Sequence, residues 1–166
     1  MTERTAIEFD SADFRQAMAN FCTGVTVVTG LNDGVPVGFT AQSFVSLSLE
    51  PPLIAVCPGK SSSSWPRIRA AGGFCINILA ADQMAICQAM AKSGADKFAD
   101  IDWRSGVTGA PIIAGSLAYV DCLLHAEHEA GDHFIAVGEV KDFSLVKGDE
   151  SPLLYFRSGF GVFGGM

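Results

Sequence analysis

Apolar positions along this chain recur with two different periods. Near the start, Phe14, Ala17, Met18 and Phe21 fall at helical spacing and give one apolar face. Ser11 stands before them as an N-cap, with Asp13 in the first turn, and the helix is expected to end near Thr23-Gly24. Beyond that point the pattern shortens. Val25 to Thr29 is β-branched throughout, Asn32-Asp33-Gly34 is a turn, and Val35 to Phe39 follows, a hairpin signal. Val45 to Leu49 alternates apolar residues with serines, as a strand does when its faces differ in environment. Pro51-Pro52 interrupts it, and Leu53 to Cys57 reads as a buried strand.

The second half repeats this alphabet. Ser61 to Ser64 leads into a short helix through Trp65, Ile68 and Ala71, and Phe74 to Leu79 is a strand. Residues 82–91 are expected to be helical, with Met84, Cys87 and Ala91 inward. Residues 92–115, which hold Gly94, Gly106, Gly109, Pro111 and Gly115, are expected to be largely loop. Two long strands, Leu117 to Ala130 and His133 to Val146, flank a Gly131-Asp132 turn. Leu153 to Phe156 is expected to be the last strand before a glycine-rich tail. Many short strands with turn signals and few helices predict a mainly β, closed antiparallel barrel rather than a parallel α/β sheet. No repeat or linker divides the chain, so 1–166 is expected to be one domain.

Composition narrows the function. Almost half of the residues are hydrophobic and 17% are charged, so a second subunit is expected to cover part of the apolar surface. The net charge of −7 and the lack of any Lys/Arg cluster argue against a nucleic-acid partner. No run approaches the roughly 20 apolar residues of a membrane helix. Met1 to Asp10 is charged and resembles no signal region, so no membrane association and a cytoplasmic location are expected. Five cysteines (Cys22, Cys57, Cys75, Cys87, Cys122) lack CxxC spacing and read as reduced, buried thiols. His125 and His128 stand three apart on a strand and point to opposite faces, so no metal site is expected there.

Two segments carry chemistry. In the first, Gly38 to Phe44 continues through Ser46 and Ser48 to Pro51-Pro52-Leu53. Thr40, Gln42 and Ser43, with their backbone N–H groups, suit the polar edge of a flat heterocycle; the bland alternative is a polar strand connection satisfying its own backbone. In the second, Cys57 to Trp65 ends a strand and opens a helix, so N–H groups, hydroxyls and Lys60 suit a phosphate; the bland alternative is a serine N-cap and loop. Neither a GxGxxG fingerprint nor a GxxxxGK[ST] loop is present, so a nucleotide must be held by other means.

The run GFTAQSFVSLSLEPPL, the spacing Cys57…Ser62-x-Ser64, the strand Phe74 to Leu79, Lys97-Phe98, Gly131-Asp132-His133 and Pro152 to Arg157 occur in one order. Together they resemble the short-chain flavin reductases, the small components of two-component flavin-dependent monooxygenases. The similarity runs from Phe14 to about Gly161 and is greatest to reductases serving phenol and steroid-ring hydroxylases. The resemblance implies a Greek-key split β-barrel that works as a homodimer. It also implies an NAD(P)H:flavin oxidoreductase that passes a hydride from NADH or NADPH to FMN or FAD and supplies reduced flavin to an oxygenase component.

By the same resemblance, Pro36, Val37, Gly38, Phe39, Thr40, Gln42 and Ser43 line the flavin ring. Cys57, Pro58 and Gly59 approach the ribityl chain and phosphate, and Ser62, Ser63 and Ser64 surround the phosphates. Ala89-Met90 stands where the family often has an Arg-Phe pair, which removes one charged contact to phosphate or adenylate. His133 is expected beside the nicotinamide as the orienting catalytic residue, with Tyr155 and Arg157 nearby. Two other readings share the barrel. A non-catalytic flavin- or haem-binding protein would not oxidise NADH on addition of flavin, and a pyridoxamine-phosphate oxidase relative would need a more basic phosphate pocket.

Overall fold

The computed structural model describes residues 10–94, 96–146 and 148–165; the charged segment from Met1 to Phe9 lies outside them. Seven strands form one antiparallel sheet. In spatial order they are β3 (Val35–Ala41), β2 (Thr26–Asn32), β6 (Gly73–Ile78), β9 (Ala118–Ala130), β10 (His133–Leu145), β5 (Pro52–Val56) and β4 (Val45–Leu49). The two edge strands, β3 and β4, are consecutive in the chain and separated by only Gln42, Ser43 and Phe44. The sheet must therefore curl until its ends meet. One core does converge from all sides: Val28, Val37, Ile54, Val56, Phe74, Ile76, Cys122 and Ala136 pack with Trp65 and Ile68 of α2 (Trp65–Ala71). The result is a split barrel, open between its edges and plugged by one helix.

Turn chemistry agrees with the sequence where glycine is needed. Asp33 and Gly34 both take positive φ, 52° and 76°, as a tight hairpin turn requires, and Gly131 does so at 63°. The β9–β10 hairpin forms about the Gly131-Asp132 turn, and its bounds differ from expectation by one residue at each far end.

Other expectations need correction. Asp10, not Ser11, caps α1 (Ser11–Met18), its carboxylate accepting from the Ala12 amide at 2.7 Å. That helix stops at Met18, and Thr23–Gly24 forms a two-residue strand, β1, paired with β11 (Leu153–Phe156). No residue of α1 is buried; Phe14, Met18 and Phe21 are exposed. Helical periodicity located an apolar face without identifying its partner. In α3 (Met84–Ala91), Met90 is buried with Cys87, while Ala91 is exposed.

Residues 92–115 are more ordered than their glycines suggest, because β7 (Trp103–Ser105) and β8 (Pro111–Ile113) pair within them. Long-range polar contacts hold this hairpin. Buried Asn77 accepts from the Ile113 amide at 2.7 Å, and buried Asp121 accepts from the Thr108 amide at 2.9 Å. A further unexpected strand, β12 (Gly159–Val162), folds back on β11 through Arg157-Ser158.

Candidate active site

Where the split closes, a cleft of about 490 Å³ is lined by Phe39, Thr40, Ala41, Gln42, Ser43, Cys57, Gly59 and His133. Three segments distant in sequence build it: the end of β3 and its link to β4, the exit of β5, and the tip of the β9–β10 hairpin. Ser43 joins the first two. Its hydroxyl accepts from the Cys57 amide at 2.9 Å and donates to the Cys57 carbonyl at 3.3 Å. The second and third are stitched by backbone. The Phe134 amide donates to the Pro58 carbonyl at 2.9 Å, the Lys60 amide to the Asp132 carbonyl at 2.8 Å, and Gly59 bridges to His133.

The imidazole is oriented from its own turn. Its Nδ1 lies 2.7 Å from the Asp132 carboxylate, and the hydrogen bond and charge of His133 hold that carboxyl below its ordinary value. With Nδ1–H given to Asp132, Nε2 of the neutral ring is an acceptor. It faces the space above Gly59, 3.6 Å from where a Cβ at that position would lie.

A second cavity, about 710 Å³, is lined by Val35 to Gly38, Ser63, Ser64, Arg67, Lys97 and Trp103, among others. Pro36, Val37 and Gly38 wall this neighbouring cavity and not the His133 cleft, and Ser63 and Ser64 reach it too. The serines divide the work. Ser62 Oγ accepts from the Trp65 amide at 3.1 Å and so caps α2, and buried Ser64 donates to the Gly38 carbonyl at 2.8 Å. Of the three expected phosphate serines, Ser63 alone is exposed. Thr40 is likewise engaged, donating to the Cys87 carbonyl at 2.7 Å.

Charge is arranged differently from expectation. Lys60 turns to Glu129 at 3.1 Å and lies over the Phe134 ring, on neither cavity's lining. The cations at the serine cavity are Arg67 and Lys97. Lys97 Nζ donates to the carbonyls of Gly38 at 2.9 Å and Met90 at 3.0 Å, and burial lowers its pKa. Met90 contributes that carbonyl, but its fully buried side chain is core and cannot face a ligand. Neither Ala89 nor Met90 lines the cleft or the serine cavity. Tyr155 pairs with Thr23 and lines a third cavity of about 400 Å³ with Gln42 and the apolar face of α1. Arg157 is outside all three: its Nε donates to Asn20 at 2.8 Å.

Residues 18–164 match the model of the flavin reductase like domain. The chain belongs to that family. It is 48% identical over 151 residues to the reductase subunit HsaB of a flavin-dependent monooxygenase from Rhodococcus jostii, covering 91% of this chain and 77% of that protein. It is 43% identical over 154 residues to an NADH-dependent FMN reductase, SmoA, from Agrobacterium fabrum, covering 93% and 87%. It superimposes with a TM-score of 0.87 on the NADH:FAD oxidoreductase SgcE6 of Streptomyces globisporus, solved with NAD and FAD fragments. That match is 36% identical and covers 96% of this chain and 98% of that one.

Within this flavin reductase fold, two residues escaped the sequence reading. Lys97 sits in the Lys97-Phe98 motif but reaches Ser64 across 33 residues, a contact that no local signal announces. Arg67 falls on α2, where an arginine beside Pro66 reads as ordinary helix surface.

Proposed function

We propose that this chain is an NAD(P)H-dependent flavin reductase that reduces FMN or FAD and supplies it to a flavin-dependent oxygenase component. The observation that carries this reading is the cleft that sets His133 opposite the Phe39–Ser43 segment. Its residues fit a flavin. The opening has the size of a small-molecule site, Gly59 leaves the floor before the imidazole free of side chain, and Arg67 and Ser63 lie in the adjoining cavity for a phosphate.

When bound there, the flavin supplies a ring that accepts a hydride from reduced nicotinamide and carries two electrons onward. The chain's own residues bind and orient. Phe39, Thr40 and Gln42 form one wall, and Ser43 fixes its distance from Cys57. Cys57, Pro58 and Gly59 set the other wall at the hairpin tip. His133 Nε2 offers an acceptor to an amide N–H of the nicotinamide, which holds the donor ring in register without moving a proton. Such alignment of two reactants accounts for much of the acceleration a hydride transfer needs.

The functional unit in this reading is a homodimer in the cytoplasm. Val45, Leu47, Leu123 and Ile135 are exposed on β4, β9 and β10, more apolar strand surface than a lone small protein usually shows to water. No helix among the described residues is long and apolar enough to cross a membrane. The test is steady-state oxidation of NADH and of NADPH with FMN and with FAD in turn, alongside sedimentation for the dimer. Flavin-dependent loss of reduced-nucleotide absorbance supports the proposal; no loss with any pair overturns it.

A further inference from the structure

Trp65 stands behind the cleft without lining it. Its side chain is fully buried at the start of α2 and makes T-shaped contacts with Phe39 and Phe74, at centroid distances of 6.4 and 6.0 Å. Phe39 is one wall of the cleft. On the polar edge of the indole, Nε1–H donates to the Glu127 carboxylate at 2.7 Å. Glu127 lies on β9, opposite Ala136 of β10, in the hairpin whose tip carries His133. One hydrogen bond thus joins the support of the Phe39 wall to the strand pair that bears the other wall.

The carboxylate is unlike the others on this hairpin. Its side chain is 18% exposed, against 80% for Glu129, which pairs only with Lys60. Its second oxygen accepts from Arg69 at 2.9 Å, but that guanidinium is half-exposed, and such a pair contributes little. A short bond from a buried neutral donor to a carboxylate is the stronger tie. The indole N–H has a single donor to satisfy. Without Glu127 it is left unpaired in the core or the ring turns to find water, and a turned ring loses its T-shaped contact with Phe39.

The two walls are held by different means. Cross-strand partners share a face, so Glu127 faces the core with Ala136 and Phe134. Strand alternation sends the neighbouring His133 to the opposite face. There the backbone bridge to Gly59 fixes it without help from Glu127. The Phe39 ring has no such backbone tie, and the indole edge sets its orientation.

We infer that Glu127 is a positioning residue for the flavin: acting through Trp65, it fixes the Phe39 ring at its working distance from His133. It touches no reacting atom. The inference rests on the flavin reductase reading given above.

The test measures the dissociation constant of FMN by fluorescence titration, and kcat and KM for NADH, in E127A, E127Q, W65F, R69Q and the double variant E127A/W65F. In E127A the FMN constant is expected to rise about tenfold and kcat to fall about tenfold, while KM for NADH stays within about twofold. W65F keeps an aromatic ring but loses the donor, and should match E127A. The double variant should be no worse than either, because the two residues act as one unit. E127Q retains an acceptor for the indole and should recover most of the loss, and R69Q should stay within about twofold of wild type. Unchanged FMN affinity in E127A, additive losses in the double variant, no recovery in E127Q, or a loss in R69Q equal to that in E127A would each overturn the inference. Should E127A not fold, W65F and R69Q decide it: the first must lose FMN affinity and the second must keep it. Failure of the wild type to oxidise NADH with flavin present would instead overturn the flavin reductase reading, and the FMN titrations would still read the role of Glu127.

Discussion

His133 and Gly59 face one another as an isolated antiparallel bridge, and a Cβ added at position 59 would lie 3.6 Å from the imidazole Nε2. Glycine here keeps open the floor of the cleft between two segments that the backbone has already joined. Gly59→Val tests this. The three nearest neighbours of an added Cβ are side-chain atoms of His133 and Ser61 at 3.6 to 3.9 Å, so stability should change by less than about 1 kcal/mol. Flavin affinity should fall about tenfold or more as the floor fills. Titration of FMN by fluorescence, with a thermal melt as control, separates the two effects.

The Asp132–His133 contact predicts a positioning effect. Asp132→Asn keeps the turn but removes the carboxylate that holds Nδ1–H. The KM for the nicotinamide donor is expected to rise about threefold to tenfold, with a smaller change in kcat. The sign with pH follows from the depressed Asp132 pKa. The contact is present above the ordinary carboxylate value of 3.8 and is lost as pH falls through the lower folded value. Thermal-melt profiles of wild type and D132N should therefore differ above that value and converge in strong acid, so far as the fold persists.

Burial pushes the Cys122 thiol up to about 12, Cys75 higher still, and Cys87 also upward, with Asp121 reinforcing the first two. A raised thiol pKa contributes full stability below the ordinary thiol value of 9.0. That contribution falls away as pH climbs toward the folded value, because only the unfolded chain releases its protons. Melting temperature should decline from about pH 9 upward, and Cys122→Ala should flatten the decline. At pH 8, iodoacetamide should modify exposed Cys22 rapidly while Cys75, Cys87 and Cys122 react only after unfolding. Equal labelling of all five would contradict this placement.

Gly138 lies at a register shift in β10, inside the barrel. An added Cβ would stand 2.6 Å from Phe74 Cζ and 3.0 Å from Cys122 Cβ. Phe74 is fully buried and cannot yield freely. Gly138→Ala should destabilise by about 1–3 kcal/mol through overpacking. Because the same strand carries His133, catalytic efficiency should fall with stability. Denaturant unfolding with an unchanged m-value would confirm a purely packing effect.

Local signals accounted for what short stretches of backbone can decide alone. Alternation marked β4, an apolar run after Pro51-Pro52 marked β5, and the Asp33-Gly34 and Gly131-Asp132 pairs located the hairpins, since positive φ is a property of single residues. Phe39 to Ser43 and Cys57 to Gly59 were legible as candidate site segments because each is one contiguous run. The order of motifs supplied His133, a position whose chemistry nothing nearby in the chain declares.

Only the tertiary structure decided which of those groups remain available to a ligand. It spends the hydroxyls of Thr40, Ser62 and Ser64 on Cys87, Trp65 and Gly38, sends Lys60 to Glu129, and brings Lys97 to the serines. It also parts Arg157 from the cleft and sets it beside Arg15 across the α1–β11 junction. The reason is physical: a strand's faces follow from period and local φ, whereas a hydrogen bond across tens of residues depends on barrel closure and register, which are properties of the whole sheet.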